Sequence, residues 1–339
     1  MKQIICIKWG TKYGPEYVNR FYNMVARNIT RPFRVICFTD QTDGLDPAIE
    51  TRPLPDPDFI MPQNTPGKWP KSMLWGDLGD ITGTVLFMDL DVIVTGNLDA
   101  FFEYGDPSET ITAKNPNTPF ERMGQTSVYR MQVGKLKPMQ GVFRSDPQAV
   151  ADKYRYEQRF VTHNAPGGVR FWPRTWVSHF RMHCIPPFPL NYVVPPRIPR
   201  STKVVIFAGH LNPDDAVLGQ WSKADPVRTA GDHLKATFDG RRRKSLSRHL
   251  RHFYLPAPWI AEKCRSTTAR LFTVLPIAQP CFQTRIKIAP NKIHIHGTDL
   301  IGGQTRTKSC SLRIDPFSGQ IGICSLAAEL EALAEAGQE

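Results

Sequence analysis

Apolar residues enter this chain in short continuous blocks. Gln3-Ile4-Ile5-Cys6-Ile7, Arg34-Val35-Ile36-Cys37-Phe38 and Lys203-Val204-Val205-Ile206-Phe207 are rich in Val, Ile and Phe, the pattern of strands buried on both faces. Between the first two, Tyr17, Phe21, Met24 and Val25 recur at helical spacing behind Pro15, which suits a first helical turn. Strand, helix and strand in succession predict a βαβ unit with parallel strands and a right-handed crossover. Ligands in such sheets bind beyond the carboxyl ends of the strands. Lys8 to Tyr13 and Thr39-Asp40 therefore flank one crevice.

The same periods carry the pattern further. A helix is expected over 69–78, with Met73, Leu74 and Leu78 inward and Lys68 and Lys71 near its start. A short helix capped by Asn97 follows over 97–102. Strands are expected over 110–113 and 127–133, and one helix capped by Asp146 runs through Ala149, Val150, Tyr154 and Phe160, carrying Glu157-Gln158. Proline makes 43–70 a long surface loop and leaves 172–199 mostly irregular.

One apolar block is interrupted. Residues 84–94, Thr-Val-Leu-Phe-Met-Asp-Leu-Asp-Val-Ile-Val, read as a single buried strand with two carboxylates one residue apart. Residues two apart on a strand project to the same side. Burying ionised carboxylates without partners costs several kcal/mol, so Asp89 and Asp91 belong where the strand opens into a site. There they can converge on one hard cation, Mn²⁺ or Mg²⁺, which can bridge a diphosphate.

Length and composition change this picture little. The chain's 339 residues suit one large domain with an appendage, and no run of about eighteen apolar residues is present. The first ten residues turn polar too quickly for a signal peptide, so a cytoplasmic location is expected. Seven cysteines without paired spacing point to reduced thiols rather than disulfides or zinc. The net charge of +12 is uneven, with Arg241-Arg242-Arg243-Lys244, Arg248 and Arg251 forming a late basic block. It reads either as a solvated helical face or as a contact for an anionic surface. No aromatic-interleaved basic strand or helix-turn-helix pattern accompanies it, so no nucleic acid is expected. Three regions result: a catalytic domain over 1–225, a basic helical segment over 226–265, and an extension over 266–339. The extension reads as a small accessory lobe or a poorly ordered tail, with an acidic helix candidate over 326–334.

Over roughly residues 3–225 the order of these pieces resembles the GT-A glycosyltransferases, closest to glycosyltransferase family 8, the branch of glycogenin-like and bacterial galactosyltransferase enzymes. The resemblance implies an α/β fold, a GT-A type Rossmann-like mixed sheet flanked by helices, and transfer of a sugar from a nucleotide-sugar, a UDP-sugar, to a glycan or lipid-linked acceptor. It makes Asp89 and Asp91 the DxD carboxylates that bind Mn²⁺ or Mg²⁺ with the donor. It places Tyr13 on the uracil, with Lys8 and Asp40 beside the donor, Lys68 or Lys71 contacting it, and Glu157-Gln158 facing the sugar. The family's third metal ligand is the His of His-x-x-Gly-x-x-Lys-Pro. Residues 206–213 keep Gly209 and Pro213 but lack that His and Lys, leaving His210 to reach the metal by a changed loop. A role in envelope polysaccharide synthesis at the inner membrane face, with peripheral contact through the basic segment, follows by analogy.

Two other readings compete. Residues 87–92 also resemble the nucleophile motif of haloacid dehalogenase-like phosphatases, in which Asp89 would attack phosphate and Asp91 act as acid and base. That motif normally occupies the first strand, whereas here a βαβ unit precedes it. Loss of the family's His and Lys also suits a GT-A scaffold that binds a nucleotide-sugar without turnover.

Overall fold

Strand β1 (Lys2–Lys8), helix α1 (Pro15–Arg27) and strand β2 (Phe33–Thr39) form the expected βαβ unit, with β1 and β2 parallel over their full length. A computed structural model describes residues 1–238 and 245–265 and, beyond them, the backbone of four strands between 283 and 323. Two compact units divide the chain, Met1–Lys263 and Cys264–Glu339. In the second, strands 283–289, 292–301, 304–314 and 321–323 form an antiparallel meander. The acidic helix candidate at 326–334 and the basic run 241–244 lie outside the described residues.

In the first unit the chain continues through β3 (Glu50–Arg52), β4 (Thr84–Met88), β5 (Ile93–Val94), α2 (Asp99–Glu103), β6 (Thr110–Lys114) and β7 (Gly124–Gln132). Then come α3 (Lys137–Ser145), α4 (Pro147–Tyr154), α5 (Glu157–Asn164), β8 (Val169–Phe171), β9 (Val177–His179), β10 (Val204–Ile206), α6 (Pro213–Leu218), α7 (Ala230–Phe238), α8 (Leu246–Leu250) and α9 (Trp259–Cys264). Seven strands form a mixed sheet in the order β3-β2-β1-β4-β7-β6-β8, and β5-β10-β9 form a second, smaller sheet. β3, β2, β1 and β4 run parallel, so their carboxyl ends share one edge, and β7 pairs antiparallel with β4. The α/β class and the mixed sheet flanked by helices are as the sequence predicts.

Several expectations are corrected. Residues 84–94 are two strands in two sheets, β4 and β5, and Asp89-Leu90-Asp91 is the turn between them. Leu90 and Val92 point into the core, 4 % and 1 % exposed, so the chain changes sheet while the acids stay half-buried. The helix expected over 69–78 is a 3-10 helix, Trp69–Leu74. The helix begun at Asp146 is two, α4 and α5, broken at Arg155, whose φ of 63° a helix cannot continue. Asp146 does cap α4, accepting from Ala149 N at 2.9 Å. Strands β3 and β9 lie within stretches that proline had marked irregular, because local composition does not register pairing with a distant strand. Among the described cysteines, Cys6, Cys37, Cys184 and Cys264 are buried free thiols.

The core on one face of the large sheet is aromatic. Trp69 stacks on Phe143 with centroids 5.0 Å apart, and Trp75 and Phe160 complete the group. β7 also carries a charge, Arg130, which is fully buried. Its guanidinium donates to the carbonyls of Phe101 (3.0 Å), Phe102 (3.2 Å) and Tyr104 (2.7 Å), and to that of Asp106. It thereby satisfies the end of α2, whose last carbonyls have no intrahelical partner.

Replacing Arg130 by Met should orphan these carbonyls and cost at least about 3 kcal/mol of unfolding free energy. Urea denaturation would read this, and Lys137→Met, whose ammonium pairs with Asp77 at the surface, should leave the midpoint unchanged.

Candidate active site

The joint between the two sheets gathers most of the residues singled out above. Asp89 N continues the β4–β7 ladder, donating to Ser127 O at 2.9 Å, and its carboxylate then meets Lys71. The Lys71 ammonium lies 2.8 Å from Asp89 Oδ1 and 2.9 Å from Oδ2, 3.4 Å from Thr126 O and 3.8 Å from Glu157 Oε1. Glu157 accepts in turn from Thr126 Oγ1. Lys71 and Glu157 are both buried, at 5 % and 6 % exposed. Burial alone would lower the Lys71 pKa, but the negative charges of Asp89 and Glu157 outweigh it and hold the ammonium above its ordinary range.

Asp91 has a different partner. Its Oδ2 accepts from Tyr13 OH at 2.8 Å, and Lys12 Nζ donates to the same phenol oxygen at 2.5 Å. Burial and the neighbouring charge of Asp89 raise the Asp91 carboxyl to about 6, against the Tyr13 hydrogen bond, which lowers it. The turn thus holds one carboxylate paired with an ammonium and one that accepts from a phenol. Tyr13 packs against Tyr17, 4.6 Å between centroids, and Tyr17 OH donates to Asp214 Oδ2 at 2.7 Å. Arg20 Nη1 lies 2.8 Å from Asp214 Oδ1. This chain of contacts ties α1, on the large sheet, to α6, which follows the small one.

Along the same edge, Lys8 ends β1 with its ammonium donating to Gln41 Oε1 at 3.2 Å. Gly10 N donates to Asp40 Oδ2 at 2.9 Å. Gly10 has φ of +60°, and no atom lies within 4 Å of where a Cβ would stand. Glycine is needed there for the turn rather than for space.

Lys8, Tyr13, Asp40, Lys71, Asp89, Asp91 and Glu157 therefore lie on one edge or in direct contact. Lys68 is exposed, and Gln158 is half-buried with its carbonyl accepting from Thr162 Oγ1 at 2.6 Å. His210 is not brought in. It is exposed on the loop before α6, and among the described residues no group of three His, Cys, Asp or Glu side chains could hold a metal. Sequence reasoning missed Lys12 and Thr126. Gln125, Thr126 and Ser127 are all buried, and a polar run at the head of a buried strand was the available signal.

No family model matches the chain, and no curated protein matches it in sequence. The solved structures it is similar to include three glycosyltransferases. The galactosyltransferase LgtC, in complex with donor and acceptor sugar analogues, is 13 % identical over 71 % of this chain and 96 % of that one, with a TM-score of 0.45. GlyE of Streptococcus pneumoniae TIGR4 is 11 % identical over 74 % and 63 %, at 0.45. Mouse xyloside xylosyltransferase 1 is 11 % identical over 60 % and 96 %, at 0.36. At these identities the likeness is one of fold.

Lys71→Met should destabilise the fold by about 3–5 kcal/mol, because Asp89 and Glu157 would then share a pocket without their cation; urea denaturation measures it. A second outcome concerns His179, at the end of β9 opposite Ile206. It is 2 % exposed, neither ring nitrogen has a hydrogen-bond partner, and burial lowers its pKa from 6.5 to about 4. The unfolded chain takes up this proton first, so stability should fall as pH drops from 6.5 to 4, by roughly 3 kcal/mol at most. His179→Gln should flatten that part of the stability profile relative to the parent.

Proposed function

We propose that this chain is a metal-dependent glycosyltransferase that moves a sugar from a UDP-sugar to a hydroxyl of a glycan or lipid-linked acceptor. The observation that carries this reading is the Asp89-Leu90-Asp91 turn at the carboxyl edge of four parallel strands, with Lys71 behind one acid and Tyr13 on the other. The donor set fits a hard divalent cation. Two carboxylates stand on one turn, where burial and then the charge of Asp89 disfavour the ionised form of Asp91, a cost that a cation would relieve. Mg²⁺ and Mn²⁺ need few protein ligands when substrate phosphates and water supply the rest, so His210 is not required. When bound, such an ion neutralises the diphosphate and makes it a competent leaving group.

The chain's own residues prepare the site. Lys71 orients the Asp89 carboxylate through both of its oxygens and adds positive charge toward the departing phosphates. Glu157, engaged by Thr126 and Lys71, acts through the lysine as a positioning residue rather than on the sugar. Tyr13 holds Asp91 by its hydroxyl and offers its ring as a platform for the base. The Gly10–Asp40 bond shapes the loop between Lys8 and Tyr13 on the donor side.

Asp91→Asn should lower Mn²⁺-dependent UDP-sugar turnover by about 10²-fold or more while leaving the protein at least as stable, since it removes a poorly compensated charge and keeps a partner for Tyr13. UDP with Mn²⁺ should raise the melting temperature of the parent and not that of the variant. Unchanged turnover in Asp91→Asn, or hydrolysis of a simple phosphomonoester with no thermal response to UDP, would overturn the assignment.

A further inference from the structure

One cavity shares no residue with the Asp89–Asp91 site. It holds about 330 Å³ and opens between the loop after α6, helices α7 and α8, and the first residues beyond α8. That is the small end of the range for small-molecule sites, roughly 300–1,000 Å³.

Two pairs of flat rings line it. Trp221 and His252 stack with centroids 4.1 Å apart and planes 15° from parallel, and Trp221 Nε1 donates to His252 O at 2.9 Å. His233 of α7 and His249 of α8 stack at 4.1 Å and 7°. Both of these imidazoles are buried, and each Nε2 meets the other residue's backbone carbonyl, at 3.0 and 3.4 Å. A carbonyl only accepts, so each Nε2 that bonds it carries a proton. Burial lowers the His233 pKa and keeps that ring uncharged at neutral pH. The lining is thus pre-formed by contacts within the protein.

The remaining lining is polar and balanced in charge. Gln220 Nε2 donates to Asp225 O, and Asp225 Oδ2 accepts from Ser222 Oγ at 3.0 Å. Among the described residues no hydrogen bond engages Gln220 Oε1, Asp225 Oδ1 or the Arg228 guanidinium. Asp225 and Arg228 are the only Asp, Glu, Lys or Arg of the lining, and they have opposite signs. Asp232, on α7, lies within electrostatic reach of Arg228 and offsets it further.

We propose that this cavity binds an uncharged sugar residue of a glycan, as a carbohydrate site separate from the turn where transfer would occur. A pyranose has a face of C–H groups, which packs on a flat ring, and an edge of hydroxyls, each both donor and acceptor. Stacked rings beside an amide oxygen, a carboxylate oxygen and a guanidinium match both parts. An apolar ligand would strand those polar groups. A phosphate would meet Asp225 and Asp232 beside the one arginine. The rings already stack on one another, which leaves no gap for a base to enter between them. In a glycosyltransferase such a site holds the growing chain at the enzyme; the binding itself does not rest on that assignment.

Saturation-transfer NMR on the full chain tests it, with the methyl glycosides of glucose, galactose and N-acetylglucosamine as probes and inorganic phosphate and adenosine beside them. At least one glycoside should bind with a Kd on the order of 1 mM. Arg228→Ala and Asp225→Ala, both on the exposed loop, should each weaken that binding about tenfold and leave the thermal shift with UDP and Mn²⁺ as in the parent. Asp91→Asn should remove that thermal shift and keep the glycoside bound, so the two proposals fail separately. No glycoside binding, or binding that either loop variant leaves intact, would overturn the inference. So would glycoside binding that Asp91→Asn removes, or a preference for phosphate or adenosine that Arg228→Ala abolishes.

Discussion

A buried ammonium holds this site in place. Lys71 gives up hydration on entering the interior, a cost met only because Asp89, Glu157 and the Thr126 carbonyl surround it. Those partners come from the inter-sheet turn, α5 and β7, while Lys71 itself comes from the 3-10 segment after the long loop. Four pieces distant in sequence are thereby fixed relative to one another. The arrangement also gives the two acids different partners, since Asp89 meets the Lys71 ammonium and Asp91 accepts from the Tyr13 hydroxyl.

The turn bearing these acids exists because the chain leaves one sheet for another. β4 is wholly apolar from Val85 to Met88 and lies between parallel β1 and antiparallel β7, a central position. β5 then pairs with β10 rather than with any strand of the large sheet. A change of partner this abrupt needs a reversal, and the reversal presents polar side chains at a strand end without burying them fully. The contacts from Tyr13 through Tyr17 to Asp214 and Arg20 tie the two sheets together beside that point.

Arg130 and Lys71 show two uses of a buried cation. Arg130 spends its two terminal nitrogens on four backbone carbonyls and finishes a short helix. Lys71 binds carboxylates, and one of them, Asp89, stands on the turn between the two sheets. Planar, multiply donating guanidinium suits the first task, and a compact ammonium between carboxylates suits the second.

Much of this was legible from local pattern. The βαβ start, the paired acids after an apolar run, Tyr13 beyond β1, Asp146 as a cap and Lys71 ahead of β4 follow from periodicity and residue chemistry acting over a few positions. The merging of 84–94 into one strand and the joining of α4 to α5 were errors of another kind. Each depended on which distant segment supplies a hydrogen-bond partner or fills the space beside a side chain. Sequence by itself determined the class of fold and the chemical identity of the site's acids and cations. Tertiary structure alone decided that Lys71 rather than Lys68 meets Asp89, that Glu157 backs the lysine, and that His210 stays in solvent. Burial and pairing across long separations set those outcomes, and neither is written in the neighbourhood of any single residue.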